Sequence, residues 1–165
     1  MSYTPIVANC ATLDNELVNY ILKEFAMSNA VTKIPAAPSA EALAHFEAEF
    51  THETDCWDVH EAMQSDDPGF ILVDARSPAL YAAGHLPGAV NIPHGKIIAS
   101  RMSAYPDDTL FVTYCAGPHC NGAARAALRF AQLGRPVKLM AGGLTGWLDE
   151  GFELTTAETK TLQVA

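Results

Sequence analysis

The chain is short of positive charge: 10 Lys and Arg stand against 19 Asp and Glu in 165 residues, a net charge of −9. The basic residues are scattered as well as few. With no stripe or patch to neutralise a phosphate backbone, the composition argues against a nucleic-acid partner. An acidic surface does not steer small anions inward, so any anionic substrate must be held by local structure. Long apolar runs are lacking, and none approaches membrane-spanning length. The N-terminus has no charged n-region; the first basic residue is Lys23, and Asp14 and Glu16 interrupt the early apolar positions, so no signal peptide is expected. Cysteine is scarce too. Four in a chain of this length are too few for a disulfide scaffold, which points to a cytoplasmic protein with reduced thiols.

What remains is ordinary globular composition, 49% hydrophobic and 18% charged, with enough apolar mass for one domain or one domain with an extension. No internal repeat or low-complexity tract is evident. From Ala11 to Met27, Leu13, Leu17, Tyr20, Ile21, Leu22 and Phe25 form a rough helical stripe capped by Thr12 or Asp14. The stretch "KIPAAPSAEAL" breaks it, and Ser39 caps a second helix carrying Leu43, Phe46 and Phe50. After about residue 50 the pattern changes. "GFILVDAR" (69–76) reads as a short buried strand ending in Asp74, and a brief helix over 78–83 stops at Gly84. Further strands fit 88–91, 109–114 and 137–140, with helices over 121–133 and 143–150. Strands alternating with helices predict an α/β fold with a mostly parallel sheet, carrying an N-terminal helical extension.

The stretch richest in chemistry is "VTYCAGPHCNGAARAAL", residues 112–128. Cys115 falls at the C-terminal end of a buried strand, the edge of a parallel sheet where ligands bind. Asn121 is placed to cap the next helix and Gly134 to end it. Residues 116–122 therefore lead from strand end to helix start, where free N–H groups and the positive dipole end favour an anion. A thiol there has a lowered pKa and becomes a nucleophile.

Three segments now resemble the rhodanese family, in that family's order. "ILVDARSPALYAAGHLPGAVNIP" is similar to its stretch in which Asp-x-Arg ends a strand and a Gly-His-Ile-Pro-Gly-Ala turn follows a short helix. "VTYC", with its glycine-containing loop and "AALRFAQLG", resembles the active-site strand, loop and helix. "MAGGLTGWLDEGFEL" resembles the closing Gly-Gly…Trp…Gly segment. The match divides the chain into an N-terminal helical extension (1–50), a rhodanese-like domain (51–154) and a tail (155–165). The resemblance implies a three-layer fold and a single-domain sulfurtransferase in which Cys115 carries a persulfide. It implies that the loop, Ala116, Gly117, His119, Cys120, Asn121 and Gly122, holds the outer sulfur with backbone N–H groups. The donor would be thiosulfate, a polysulfide or a persulfide, and the acceptor a thiol or cyanide, with no metal or organic cofactor.

Two departures from the family pattern matter. The loop is longer by a residue or two, and it lacks the Arg or Lys of many thiosulfate-specific members, leaving His119 as its one cation. Phosphatase relatives need Cys-x5-Arg to clamp phosphate in a bidentate way. Here that position is Asn121, and Arg125, with Arg129 and Gln132, falls on a stripe read as facing solvent. Cys120 has two readings: a small residue filling the loop, or a resolving thiol that attacks a persulfide on Cys115 and leaves a disulfide. The competing functional class is accordingly a non-catalytic binding module or a Cys115/Cys120 dithiol switch.

The other candidates read as structural. Cys-x4-Cys around His119 is not a zinc spacing, and His45, His52 and His60 fit solvated helix faces. Asp74 and Arg76 support the site as a strand-end carboxylate and a buried guanidinium satisfying loop carbonyls. His85 serves its turn, Trp57 and Trp147 are core or interface aromatics, and Cys10 and Cys56 are inert. The N-terminal helices either cover the sheet or form a homodimer contact; two helices are generous for capping a small module, which favours the dimer.

Overall fold

The computed structural model describes Asn19 and residues 29–156. The helix expected over 11–27, Cys10 and the tail beyond residue 156 lie outside the described residues. The chain divides into two units, residues 1–42 and 43–165. In the first, the Asn29 side chain accepts from the N–H groups of Val31 and Thr32, closing a turn. Helix α1 (Ser39–His52) begins at the serine expected to start it, but buries none of its residues; Leu43, Phe46 and Phe50 are all exposed.

The second unit is built on a parallel five-stranded sheet of order β1-β5-β4-β2-β3. Its strands are β1 (Glu53–Thr54), β2 (Ile71–Asp74), β3 (Val90–Asn91), β4 (Phe111–Tyr114) and β5 (Val137–Met140). Between them run α2 (Cys56–Ala62), α3 (Pro78–Ala83), a 3-10 turn (His94–Lys96), α4 (Ala99–Met102), α5 (Gly122–Gln132) and α6 (Gly143–Asp149). In the central pair, Ile71 to Asp74 of β2 lie opposite Phe111 to Tyr114 of β4. Alternate strand residues face opposite sides, so each side buries its own apolar cluster. Leu72, Val112, Tyr114 and Met140 pack with Cys56, Val59, Leu86 and Trp147. Val73 and Phe111 pack with Ile92, Ile97, Met102, Ala126 and Phe130 on the other side. Burial on both faces is why β2 and β4 read as continuous apolar runs rather than alternating ones.

The α/β class and parallel sheet expected from the sequence are those observed. Helix α3 spans 78–83 and stops at Gly84 as expected, and it is capped by the Ser77 hydroxyl, which accepts from Leu80 N–H, with Pro78 in the first turn. Four elements went unpredicted: β1, α2, the 3-10 turn and α4. Strand β1 has two residues and exists by pairing with Leu139 and Met140 of β5, a long-range partner that no local pattern announces. Helix α2 has a local signal that was passed over, since Asp55 caps it by accepting from Asp58 N–H at 2.8 Å.

Beneath the reactive edge of the sheet lies one buried polar network. The Arg76 guanidinium donates to both oxygens of Asp74 (Nη2 to Oδ2 2.6 Å, Nε to Oδ1 3.0 Å) and to Gly84 O at 2.7 Å. Tyr114 Oη donates to Asp74 Oδ2 at 2.7 Å and accepts from Leu86 N–H at 3.1 Å. Burial, and then the Asp74 charge, pushes the Tyr114 phenol well above its ordinary range, so it stays an O–H donor. Asp74 and Tyr114 are fully buried and Arg76 is 8% exposed. Asp74→Ala therefore strands a buried guanidinium and a phenol, and is expected to lower unfolding free energy by about 3–5 kcal/mol in chemical denaturation.

Candidate active site

Cys115 is the first residue after β4, and its side chain is 6% exposed. The loop that follows is held from outside by the first turn of α6. Cys115 O accepts from Leu144 N–H at 2.9 Å; Ala116 O accepts from Thr145 N–H at 2.9 Å and from Thr145 Oγ1 at 2.8 Å. That approach needs a bare backbone at Gly143, where φ is +59° and a Cβ would lie 2.6 Å from Cys115 O. Inside the loop, Cys120 N–H donates to Gly117 O at 2.9 Å. The amides of Ala116, Gly117, His119, Asn121 and Gly122 donate to no acceptor among the described residues. The loop thus begins with three tied carbonyls, those of Cys115, Ala116 and Gly117, and keeps five amides without an acceptor among the described residues, at the N-terminus of an 11-residue helix.

Asn121 occupies the cap position of α5 without capping it. Its backbone (φ −84°, ψ 10°) is not in the extended region that turns a cap side chain toward the helix N–H groups. The expected side-chain cap is thus absent and the first amides of α5 stay free. Gly134 behaves as expected, at φ +71° with its N–H on Ala131 O. Gly122 is the tightest point of the loop: a Cβ there would meet Cys115 Sγ at 2.6 Å and Cys120 Sγ at 3.4 Å.

The two sulfurs of Cys115 and Cys120 are joined as a disulfide, with the Cα atoms 6.3 Å apart. This corrects the expectation of reduced thiols throughout. A bridge across five positions closes too small a ring to serve as a scaffold staple, so the composition argument against disulfide scaffolds does not reach it. Cys56 is a different kind of thiol. It is buried beneath Gly142 and Gly146, with Sγ 3.3 Å from Ala141 O, and burial, with the Asp55 and Glu150 charges, pushes it up to about 11.

Two clefts meet at the cysteine pair. One, about 390 Å³, is lined by Pro118, His119, Ala123, Ala124 and residues 139–143 beside both sulfur-bearing residues. The other, about 320 Å³, is lined by Ala75, Leu80, Arg76, His94 and Arg125 together with Cys115, Ala116, Cys120, Asn121 and Gly122. Arg125 is exposed, as the helical stripe predicted, but its solvent is that of the cleft beside Cys115. The missed signal was one helical turn: Gly122 touches Cys115 Sγ, and position 125 lies three residues on along the same face of α5. His94 was also missed, because only the fold carries the segment after β3 to this edge.

The remaining candidates fall where their chemistry places them. The His85 ring bonds Tyr81 O through Nδ1 at 2.9 Å and stacks on Tyr81. Trp147 is core, with Nε1 donating to Glu153 O, while Trp57 is exposed and tilted against Phe152. His45 and His52 are exposed on α1. His60 corrects the solvated reading in part: on α2 it is half-buried and stacks on Phe152 with ring centroids 3.8 Å apart. Among the described residues, no three His, Cys, Asp or Glu side chains gather as metal ligands, and no helix is long and apolar enough to cross a membrane.

A family model described as the rhodanese-like domain matches residues 58–150, more than half of the chain. The chain belongs to the rhodanese-like family. A sulfurtransferase of Allochromatium vinosum is 34% identical over 94 residues, covering 57% of this chain and 86% of that protein. An HTH-type transcriptional regulator of Mycobacterium tuberculosis is 38% identical over 86 residues, 48% of this chain but 38% of the regulator's length. Among solved structures, the BH2092 protein of Bacillus halodurans superposes with a TM-score of 0.69 at 32% identity, over 76% of this chain and 99% of that one. The rhodanese-like domain is thus of a sulfurtransferase-type family in which the same module also serves as part of a regulator. In the folded, reduced domain at about pH 8, where an ordinary thiol of pKa ~8.5 alkylates readily, Cys56 is expected to stay unmodified until denaturant is added. Peptide mapping after iodoacetamide treatment checks this.

Proposed function

We propose that this domain is a sulfurtransferase that carries sulfane sulfur as a persulfide on Cys115. The observation that supports it most is the pairing of a strand-end cysteine with a loop in which the carbonyls of Cys115, Ala116 and Gly117 are tied while the amides of Ala116, Gly117, His119, Asn121 and Gly122 find no acceptor among the described residues. Such a loop suits an anionic sulfur held beyond Cys115 Sγ. In the structure Cys115 Sγ is bonded to Cys120 Sγ, so the form that accepts sulfur is the reduced one, in keeping with a cytoplasmic setting. A relative named as a sulfurtransferase, most of whose length this chain covers, supports the same reading.

In the first half-reaction the Cys115 thiolate attacks the sulfane sulfur of the donor. With thiosulfate the S–S bond breaks and sulfite leaves with the electron pair; with a polysulfide a shorter chain leaves. In the second, a thiolate or cyanide attacks the outer sulfur of the persulfide and Cys115 departs as thiolate. Atoms and charge balance without a metal or organic cofactor. Ala116, Gly117, His119, Asn121 and Gly122 serve through their backbone, and Asp74 and Arg76 by fixing the strand end and the turn beside it.

The cleft bordered by Arg76, His94 and Arg125 is the anion-receiving side. Arg76 is committed to Asp74 and Gly84, which leaves Arg125 as the guanidinium free to meet a donor's sulfonate end.

Two outcomes follow. Cys115→Ser is expected to take up no sulfur from thiosulfate or polysulfide, read as the loss of the added sulfur mass in intact-protein spectra; loading in that variant would place the carrier elsewhere. Arg125→Ala is expected to slow loading from thiosulfate roughly tenfold, by loss of one charge-assisted hydrogen bond. Its loading from polysulfide should change far less, and equal slowing with both donors would remove Arg125 from the donor site.

A further inference from the structure

The proposed persulfide explains why Cys115 is held where it is, but not why a second sulfur reaches it. We infer that Cys120 resolves the Cys115 persulfide by attacking its inner sulfur, which expels hydrosulfide and closes the Cys115–Cys120 disulfide. The step rests on the proposed persulfide and gives the domain a second outcome, release of sulfide in place of transfer to an acceptor.

The geometry distinguishes this from transfer between the two cysteines. A thiolate that meets the outer sulfur of a persulfide takes that sulfur and returns a free thiolate. One that meets the inner sulfur displaces the outer one and ends as a disulfide. Cys120 Sγ is bonded to Cys115 Sγ itself, with the Cα atoms 6.3 Å apart, inside the range that a disulfide spans. Three local features hold it there. The Cys120 N–H bonds Gly117 O, turning the loop back on itself. The Cys115 and Ala116 carbonyls are anchored to α6, so the strand end does not give way. Gly122 is bare at the point where a Cβ would press on both sulfurs, at 2.6 Å and 3.4 Å. A thiol already inside the loop also outcompetes a dilute external acceptor, because its attack is intramolecular.

The balance is simple. The Cys120 thiolate forms a bond to Cys115 Sγ while the bond from Cys115 Sγ to the outer sulfur breaks. The outer sulfur leaves with the electron pair and takes up the proton that Cys120 gave up. One sulfane sulfur is reduced by two electrons to sulfide and two cysteines are oxidised to cystine. A dithiol reductant, dithiothreitol in the assay, then reopens the loop by exchange. Both cysteines line both clefts, so the bridge is open to exchange from either side.

The test compares wild type, Cys120→Ser and Cys120→Ala, each reduced, desalted and given thiosulfate, then polysulfide, without reductant. Thiosulfate leaves as sulfite, so sulfide trapped with a bimane reagent in that arm comes from the persulfide; the polysulfide arm is read by protein mass alone. Wild type is expected to release about one sulfide per chain and to end two hydrogens lighter than its reduced form. Both variants are expected to retain the added sulfur and to release at least ~10-fold less sulfide in the same time. A persulfide that persists in wild type as it does in the variants, with no sulfide, overturns this inference and leaves the Cys115 carrier standing. Variants that fold, by circular dichroism, yet take up sulfur from neither donor overturn the carrier, and the resolving step with it.

Discussion

The reactive loop depends on the hydrogen bonds that α6 makes to the carbonyls of Cys115 and Ala116. Backbone donors and acceptors both need partners when water is excluded, and Pro118 already leaves this loop one donor short of its acceptors. By taking two of the acceptors, α6 leaves unpaired N–H groups in the majority at the start of α5. Those free amides are what the proposed anionic sulfur would use. The contact is possible because Gly143 has no Cβ to hold α6 away from Cys115 O. The glycine pair between β5 and α6 therefore belongs to the site although it bears no reactive group.

The second constraint is electrostatic. A chain of net charge −9 repels the anionic donors it would use, and long-range steering does not help it. The cleft beside Cys115 counters this locally with the guanidinium groups of Arg76 and Arg125. These come from the turn after β2 and the first turn of α5. Two separate pieces of chain thus supply the positive charge that the loop itself lacks. Arg76 has a dual part: its charge borders the cleft while its hydrogen bonds to Asp74 and Gly84 fix the end of β2. Burial acts against its charge, and the Asp74 hydrogen bond and charge more than offset that.

The rhodanese-like domain holds two kinds of cysteine, and access to a cleft separates their chemistry. Cys56 is enclosed by the sheet and the glycines of α6 and is held protonated, so it packs. Cys115 is nearly as buried, yet it borders two clefts and touches a second sulfur. On the proposed chemistry, a persulfide on Cys115 would face a choice between an acceptor arriving through a cleft and the thiol already beside it. The supply of acceptor and reductant, rather than the loop alone, would then set which outcome prevails.

The sequence by itself determined the α/β class, strands β2 to β5 with helices α3, α5 and α6, and Cys115 as a strand-end thiol. Each of these is written in local signals: apolar runs of strand length, helix stops at Gly84 and Gly134, and the spacing from Cys115 to α5. It was also enough to read Asp74, Arg76 and His85 as structural, since buried polar side chains beside turns must bond to backbone or to one another. Tertiary structure alone decided the rest. The pairing of β1 with β5, the stacking of His60 on Phe152, the placing of His94 and Arg125 at one cleft and the meeting of the two loop sulfurs all join groups distant in sequence or opposed across a turn. Local propensity does not encode such distances; they are set when the sheet pairs and the helices pack on it.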